Sequence, residues 1–209
     1  MIHMFFAPRA AAKVPGVTDQ KLPVREIRKL AVLGGGTMGS GIATALLQSG
    51  LQVTLKEVNA EFAAAGRGRI EANLMSRVKK GKLSQAQFDE ILSRLSVQTD
   101  YAGFDQLDMV IEAVIENIEL KQQVFADLEK LTQPQAILAS NTSTIDLEVI
   151  GQKTQAAPRI LGTHFFSPAH VMPLVEIVRS RRTSPEVLNS VIALAKKIKK
   201  TPVTVGNCV

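Results

Sequence analysis

The segment KLAVLGGGTMGSG, residues 29–41, joins an apolar, β-rich run to a glycine-rich turn. Its glycines fit the spacing G-x-G-x-x-G, and a helical pattern follows them. Between a strand and a helix, the first glycine allows a tight turn, the second lets backbone approach a pyrophosphate, and the third permits close helix–strand packing. The segment therefore predicts a dinucleotide site at a helix N-terminus, formed by Gly34, Gly36, Thr37, Met38 and Gly39.

An acidic residue, Glu57, ends the next predicted strand, LQVTLKE, residues 51–57. A carboxylate at this place accepts hydrogen bonds from the adenosine ribose hydroxyls and repels a 2′-phosphate, so the sequence favours NAD over NADP. The neighbouring Lys56 weakens that preference slightly. Two alternatives stay open: the same glycine pattern over FAD, and a strand–helix turn with incidental glycines and a surface glutamate.

Strand and helix patterns alternate along most of the chain. The strands are predicted at 29–36, 51–57, 108–114, 136–140, 159–166, 173–180 and 201–209, and the helices at 37–50, 60–80, 84–95, 117–131, 143–151 and 184–200. This alternation predicts an α/β protein of the Rossmann type, with a doubly wound, mostly parallel sheet and helices on both faces. Prolines and a glycine interrupt residues 1–23, which we predict to be a linker or arm before a domain at 24–209.

Composition limits the classes of function. The 209 residues, 45% of them hydrophobic, suffice for one domain with a real core, and no apolar run approaches the roughly 20 residues of a membrane span. The formal net charge is +6, but the basic residues recur along predicted helices, as at 77–82 and 196–200, which indicates solvated helix faces. With one tyrosine and no tryptophan, stacking platforms for nucleic acid are scarce, and we do not expect such a partner.

Two histidines and a glutamate stand in HFFSPAHVMPLVEIV, residues 164–178. A dehydrogenase needs a base for the substrate hydroxyl, and histidine suits this because its ordinary pKa is about 6.5. A carboxylate that holds the ring stabilises the imidazolium. If the strands at 159–166 and 173–180 are neighbours, His164 and Glu176 meet near one end of the sheet. The alternative is a structural histidine and an edge-strand glutamate.

Several motifs together resemble one family. GGGTMGSGIA (34–43), MVIEAVIENIELK (109–121), ILASNTSTI (137–145) and GTHFFSPAHVMPLVEIV (162–178) resemble the NAD-binding domain of L-3-hydroxyacyl-CoA dehydrogenases. KEVN (56–59), SNTSTID (140–146) and KKIKKTPV (196–203) look most like the plant peroxisomal multifunctional branch of this family, in which an enoyl-CoA hydratase unit precedes the domain. The resemblance covers nearly the whole chain and implies a peroxisomal enzyme of fatty-acid β-oxidation that uses NAD.

The resemblance assigns catalytic roles to three residues. It implies that His164 is the base, that Glu176 holds and polarises it, and that Ser143 binds the C3 oxygen of the substrate. C3 would pass a hydride to NAD as its hydroxyl proton moves to His164. No metal is implied.

The same resemblance places further residues at the ligands. Glu116, Lys121 and Asn141 would lie near the cofactor, and Asn73 and Lys80 would contact the coenzyme A portion. Without the resemblance, Glu116 and Lys121 are an acid at a helix start and an exposed lysine, and Asn141 is a turn residue. His170 and His3 have no assigned role.

The sequence departs from the family pattern in two places. Ser167 stands where many single-function relatives have asparagine, which the multifunctional branch tolerates. After VGNC the family continues into a catalytic asparagine and an all-helical domain, so we expect this chain to be a truncated, monomeric part of a longer protein. Residues 1–18 have the composition of a transit peptide, but resemble the link between the hydratase and dehydrogenase units.

Three hypotheses about function remain at this stage. The first is a 3-hydroxyacyl-CoA dehydrogenase represented by its NAD-binding part. The second is an NAD(H)-binding module with little or no turnover. The third is a non-enzymatic role of the basic surface in RNA or partner binding, which would depend steeply on salt.

Overall fold

The computed structural model describes residues 13–207. His3, Cys208 and most of the predicted arm lie outside this range. Eight strands form a single sheet within it. They are β1 (Lys29–Leu33), β2 (Gln52–Lys56), β3 (Leu95–Gln98), β4 (Met109–Glu112), β5 (Ile137–Ser140), β6 (Ile160–Phe165), β7 (Leu174–Arg179) and β8 (Thr201–Gly206).

The strand order is β3-β2-β1-β4-β5-β6-β7-β8. Every neighbouring pair is parallel except β6 and β7, which are antiparallel. The order reverses between β1 and β4, and ligands of open α/β sheets bind at such a switch point, beyond the carboxyl ends of the strands. The predicted Rossmann-type, mostly parallel sheet is confirmed.

Six α-helices cover the sheet: α1 (Thr37–Gln48), α2 (Ala60–Lys79), α3 (Gln85–Leu92), α4 (Ile118–Leu131), α5 (Leu147–Ile150) and α6 (Pro185–Lys197). Five of them begin where a side-chain oxygen accepts a backbone N–H of the first turn. Such caps satisfy N–H groups that a helix leaves without partners. The N-caps are Asn59, Ser84, Asn117, Asp146 and Ser184.

Alternate residues of the central strands enter two separate cores. In β1, Leu30 and Val32 belong to the larger core, which contains residues of α1, α2, α3 and α6. Ala31 and Leu33 belong to the smaller one, which contains residues of α4 and α5. Successive side chains of a strand point to opposite faces, so a strand covered on both sides reads as a continuous apolar run. That is why KLAVL, and not an alternating pattern, marks β1.

The structure corrects two sequence predictions. The helix predicted at 84–95 ends at Leu92, and its last residue begins the unpredicted strand β3, LSVQ. The helix predicted at 143–151 contains only the single α-helical turn of α5, followed by a 3-10 turn at Gly151–Lys153. Both errors arise where a short segment has too few residues for its period to show, so sheet pairing decides the outcome.

Part of the predicted arm packs against the domain. Val14 and Val17 are buried in the larger core.

Within residues 13–207 no helix is long and apolar enough to cross a bilayer.

Candidate active site

The glycine-rich turn closes tightly at the switch point. Gly34 has φ +91°, a left-handed conformation that favours glycine, and a Cβ there would lie 2.7 Å from the carbonyl oxygen of Ala113 after β4. A Cβ on Gly39 would lie 1.8 Å from the carbonyl oxygen of Gly34. The first and third glycines therefore permit contacts that no other residue allows.

The second glycine leaves room for a ligand. Gly36 is the N-cap residue of α1, and no side chain of residues 13–207 caps that helix end. A Cβ on Gly36 would meet no described atom within 4 Å. The first turn, which begins with Thr37 and Met38, thus presents backbone N–H groups and the positive end of the helix dipole to open space, as a pyrophosphate requires. These residues fit a dinucleotide.

Glu57, which directly follows β2, reaches the glycine turn. Its Oε1 accepts the N–H of Gly35 at 2.5 Å, and its Oε2 accepts the N–H of Val58 at 3.2 Å. Lys56 is engaged elsewhere, because its Nζ lies 4.4 Å from the centroid of the Tyr101 ring. The Glu57 carboxylate therefore lies at the glycine turn, while the ammonium of Lys56 lies over the ring of Tyr101, which follows β3.

A buried ion pair lies beneath the loop between β4 and α4, residues 113–117, here called the cofactor loop. Lys121 Nζ is 2.7 Å from Glu112 Oε1 and 3.7 Å from Glu116 Oε2. The Lys121 and Glu112 side chains are 1% and 0% exposed, whereas that of Glu116 is 45% exposed. The alternative of an exposed lysine is wrong: Lys121 is held inside, and Glu116 is the member of the group that faces outward.

The loop between β5 and α5, residues 141–146, here called the substrate loop, is joined to this group. Thr142 Oγ1 donates to Glu116 Oε2 at 2.9 Å. Ser140, the last residue of β5, donates to Glu112 Oε2 at 2.7 Å. Ser143 is exposed on this loop.

Asn141 connects the substrate loop to β6. Its Oδ1 accepts the N–H of Phe165 at 3.0 Å, and Phe165 directly follows His164. The amide oxygen of Asn141 therefore fixes the strand end that carries the histidine.

His164 and Glu176 are directly paired. They are register partners in the antiparallel β6–β7 ladder, and His164 Nδ1 lies 2.8 Å from Glu176 Oε2. Their side chains are 24% and 34% exposed. With Nδ1 as the donor to the carboxylate, Nε2 carries a free lone pair, which is the arrangement of a histidine base oriented by an acid.

These side chains share one face of the sheet. Glu112, Ser140 and Gly162 are successive register partners across β4, β5 and β6, and His164 lies two residues beyond Gly162 on the same face. Ser143 and Glu176 line a common cavity of about 190 Å³. The structure thus brings Ser143, Asn141, His164 and Glu176 to one region beside the cofactor loop.

The two residues predicted at coenzyme A lie on α2 and at its end, away from this group. Asn73 Nδ2 donates to Thr44 Oγ1 of α1 at 3.2 Å, so its amide already serves helix packing. Lys80 is exposed just after α2. Their spacing of seven residues, about two turns, places them on one side of the helix.

One basic residue predicted on a solvated face is buried. Lys200 is 8% exposed and donates to the carbonyl oxygens of Ala169 and Met172 at 2.7 and 2.6 Å. It holds the loop before β7 and is not available to a surface ligand. The prediction of a solvated helix face is wrong for Lys200, because tertiary contacts supply carbonyl partners that the sequence pattern does not reveal.

His170 lies in the same loop. Burial first, and then the charges of Lys200 and Arg77, lower the pKa of His170 from its ordinary value of 6.5. Within residues 13–207, His170 Nδ1 has no hydrogen-bond partner.

We expect His170 to make stability depend on pH. Because its folded-state pKa is depressed, the stability it contributes is present above pH 6.5 and is lost as pH falls from 6.5 towards the folded-state value. The group is only partly buried, so the fall in Tm should stay below about 4 °C. Thermal unfolding of wild type and His170→Gln between pH 8 and 5 would show a flatter profile for the variant. Equal slopes would contradict the prediction.

Sequence reasoning missed the residues that support the site. Glu112, Ser140 and Thr142 were not singled out, and Arg69, whose Nη1 donates to the Gly35 carbonyl at 3.0 Å, was also missed. The sequence feature that could have revealed this group is Glu112 itself, because a carboxylate inside the apolar run MVIEAV needs a buried partner. Among residues 13–207 no three histidine, cysteine, aspartate or glutamate side chains form a group suited to a metal ion.

The sheet order, the glycine turn and the carboxylate at its side define a Rossmann-type dinucleotide-binding domain. The protein-family model described as the NAD-binding domain of 3-hydroxyacyl-CoA dehydrogenase matches residues 29–208 of this chain. The chain belongs to this family, and its cofactor is NAD.

Individual relatives agree with this assignment. The chain is 60% identical over 208 residues to the peroxisomal fatty acid beta-oxidation multifunctional protein MFP2 of Arabidopsis thaliana, with 100% of this chain and 29% of that protein covered. The crystal structure of 3-hydroxybutyryl-CoA dehydrogenase from Escherichia coli matches with a TM-score of 0.85 and 38% identity, over 88% of this chain and 39% of that one. The dehydrogenase part of multifunctional enzyme 1 from C. elegans matches with a TM-score of 0.84 and 27% identity, over 96% and 48% of the two chains. The chain therefore spans about 29% of the length of the plant relatives it matches.

Proposed function

We propose that this chain carries the hydride-transfer site of an NAD-dependent L-3-hydroxyacyl-CoA dehydrogenase. The observation that carries the proposal is the contact of 2.8 Å between His164 Nδ1 and Glu176 Oε2, on the sheet face beside the cofactor loop. A base oriented in this way next to a bound dinucleotide is what oxidation of a secondary alcohol needs.

The chain's own residues take up the C3 hydroxyl proton and bind the C3 oxygen of the substrate. NAD, when bound, supplies the hydride acceptor for C3 of the substrate. His164 takes the C3 hydroxyl proton at Nε2, and Glu176 stabilises the imidazolium through Nδ1–H. Ser143, which shares a cavity with Glu176, holds the C3 oxygen. In the reverse reduction the same histidine returns the proton.

The cofactor would be held by two groups of residues. Backbone N–H groups of the glycine turn and the first turn of α1 would face the pyrophosphate, and Glu57 would bind the adenosine ribose. Glu116 and Asn141 would act at the second half of the dinucleotide. Lys121, buried behind Glu116, supports that carboxylate and does not itself reach the ligand.

The names of the relatives support a proposal for the substrate class and the location. The plant proteins are named as peroxisomal or glyoxysomal proteins of fatty acid beta-oxidation, and we propose the same pathway and compartment for this chain. Acyl-CoA would be the substrate, with Lys80 on the side of coenzyme A. We propose residues 24–209 as one NAD-binding domain preceded by an arm.

A second candidate function rests on the openness of the site. Ser143 is exposed, and His164 and Glu176 are one quarter and one third exposed, so water has access to the reacting groups. Water weakens every electrostatic interaction in an active site. The chain by itself could therefore act as an NAD(H)-binding module with little turnover.

One experiment separates the two candidates. The purified chain is mixed with NADH and acetoacetyl-CoA, and the loss of NADH absorbance is followed while NADH binding is measured by fluorescence. Turnover supports the dehydrogenase. Binding without turnover supports the module, and absence of binding contradicts both.

We expect Glu57 to decide the choice of cofactor. Replacing it by alanine removes the proposed ribose acceptor and the charge that repels a 2′-phosphate, and also leaves the Gly35 N–H without its partner. NADH affinity should fall about tenfold or more, while NADPH affinity should stay equal or rise, because a charged hydrogen bond contributes about 1.5–3 kcal/mol. Fluorescence titrations with both cofactors measure the ratio.

Glu61→Ala is the matched control, because Glu61 is an exposed carboxylate in the first turn of α2. The prediction fails if Glu57→Ala and Glu61→Ala give the same ratio of affinities.

A further inference from the structure

We propose that Glu112 is a positioning residue that holds the cofactor loop and the substrate loop in one fixed arrangement. The inference rests on the roles proposed above for Glu116 and Ser143. Glu112 is fully buried at the end of β4 and so cannot touch a ligand in the cleft. Its influence must pass through the groups that it binds.

Three separate segments donate to this one carboxylate. Val114 N–H of the cofactor loop donates to Oε1 at 2.8 Å, and Lys121 Nζ of α4 donates to the same oxygen at 2.7 Å. Ser140 Oγ, at the end of β5, donates to Oε2 at 2.7 Å. A buried carboxylate with three donors, one of them charged, resists displacement, because each lost partner leaves a polar group unsatisfied.

The charges explain why the Glu116 side chain faces outward and stays 45% exposed. One ammonium, Lys121, lies between two carboxylates, at 2.7 Å from Glu112 and 3.7 Å from Glu116. The ammonium of Lys121 interacts more strongly with Glu112, the closer carboxylate, than with Glu116. If Glu112 became neutral, Lys121 would have only Glu116 as a carboxylate partner within these contacts, and would draw it inward. The outward orientation of Glu116 thus depends on the charge of Glu112.

The second branch of the network reaches the substrate loop. Ser140 Oγ, held by Glu112, accepts the N–H of Thr142 at 3.3 Å. Thr142 Oγ1 donates to Glu116 and accepts the N–H groups of Thr144 and Ile145 at 3.3 and 3.0 Å. Ser143 therefore lies between two residues that the network fixes.

The sheet register places this network close to the proposed base. Glu112 and Ser140 are register partners, and Ser140 pairs in turn with Gly162. His164 follows Gly162 by two residues on the same face, which is about 6.6 Å along the strand. A shift of Glu112 and its register partner Ser140 would therefore move the substrate loop relative to His164. Reaction rates are sensitive to such shifts in the alignment of the reacting groups.

The test separates positioning from stability. Glu112→Gln should raise the dissociation constant for NADH about tenfold or more, because Lys121 then pairs with Glu116. The double variant Glu112→Gln/Lys121→Met removes both buried charges, and buried ion pairs can often be replaced in this way without loss of stability. We expect its Tm to lie within about 5 °C of wild type and its NADH affinity to recover towards wild type, because no ammonium is then left to draw Glu116 inward. Wild-type NADH affinity of Glu112→Gln itself, or a double variant that binds NADH as weakly as Glu112→Gln, would overturn the proposal.

A milder variant tests the second branch if the double variant does not fold. Ser140→Ala keeps the ion pair and removes only the link to the substrate loop. We expect amide hydrogen exchange of residues 142–145 to become about tenfold faster or more, with exchange in β1 unchanged. Unchanged exchange at 142–145 would overturn the proposal.

Two further variants show whether a failure concerns this inference or the function on which it rests. Glu116→Ala and Ser143→Ala leave Glu112 intact, and should reduce NADH binding and turnover, respectively. If they do so and the Glu112 variants behave as wild type, only the positioning role is wrong. If they have no effect, the proposed roles of Glu116 and Ser143 are wrong.

Discussion

The Gly39→Ala variant is expected to lose NADH binding and much of its stability. The added Cβ would lie 1.8 Å from the carbonyl oxygen of Gly34 and 3.4 Å from a methyl carbon of Val32. The first of these contacts is with backbone, so a rotamer change cannot relieve it, and the turn and α1 must separate. We expect a loss of about 3 kcal/mol or more in the free energy of unfolding, which corresponds to roughly 6–12 °C in Tm.

Two other glycines provide controls for this result. A Cβ on exposed Gly68 in α2 would meet no described atom within 4 Å, so Gly68→Ala should stabilise the helix by up to about 1 kcal/mol and bind NADH as wild type does. Gly36→Ala has the same free space in the protein, but its methyl group would stand where the pyrophosphate approaches. It should fold normally and bind NADH weakly.

Calorimetry and NADH fluorescence titration on the three variants test the assignment. If Gly39→Ala behaves like Gly68→Ala, the close contact in the turn does not exist. If Gly36→Ala binds NADH as tightly as wild type, the pyrophosphate does not lie against this turn.

The His164→Ala variant is expected to reduce NADH oxidation by acetoacetyl-CoA about a thousandfold, with NADH affinity unchanged. General acid–base catalysis contributes about 10² to 10⁴ in rate, and His164 is the group proposed to supply the proton to the C3 oxygen. Glu176→Gln should lose less, about tenfold or more, because the amide keeps an acceptor for Nδ1–H but not the charge that stabilises the imidazolium.

His170→Ala is the matched control, since His170 lies six residues after His164, in the loop between β6 and β7, and has no proposed role in the reaction. Its rate should stay within about twofold of wild type, a difference of less than 0.5 kcal/mol in activation free energy. A His164→Ala rate equal to that of His170→Ala would remove His164 from the mechanism. A loss of NADH affinity in His164→Ala would instead indicate a role in cofactor binding.

The resemblance and the structure single out the same pair of residues, His164 and Glu176, by different routes. From sequence spacing alone, His164 and Glu176 could equally be interpreted as a structural histidine and an edge-strand glutamate. The antiparallel β6–β7 ladder makes them register partners, and among residues 13–207 all other neighbouring strands of the sheet are parallel. The roles of these residues in turnover remain proposals.

The sequence by itself determined the order of most strands and helices, the glycine turn and the acid beside it. These features are local: a continuous apolar run, a period of 3.6 residues and a fixed glycine spacing are each visible within about 20 residues. The strand β3 and the short extent of α5 were not determined in this way, because four residues show no reliable period.

Only the tertiary structure decided how the site is supported. Lys121 reads as an exposed helix residue, yet it is buried, because Glu112 and Glu116, 9 and 5 residues before it, converge on its ammonium. Ser140 binds Glu112 across 28 residues of sequence. Asn73 is predicted to touch a ligand, but its amide packs α2 against α1. The free-energy cost of burying a charge or an amide depends on the hydrogen-bond and ion-pair partners that other segments of the chain supply. A local sequence pattern does not show which residues those partners are.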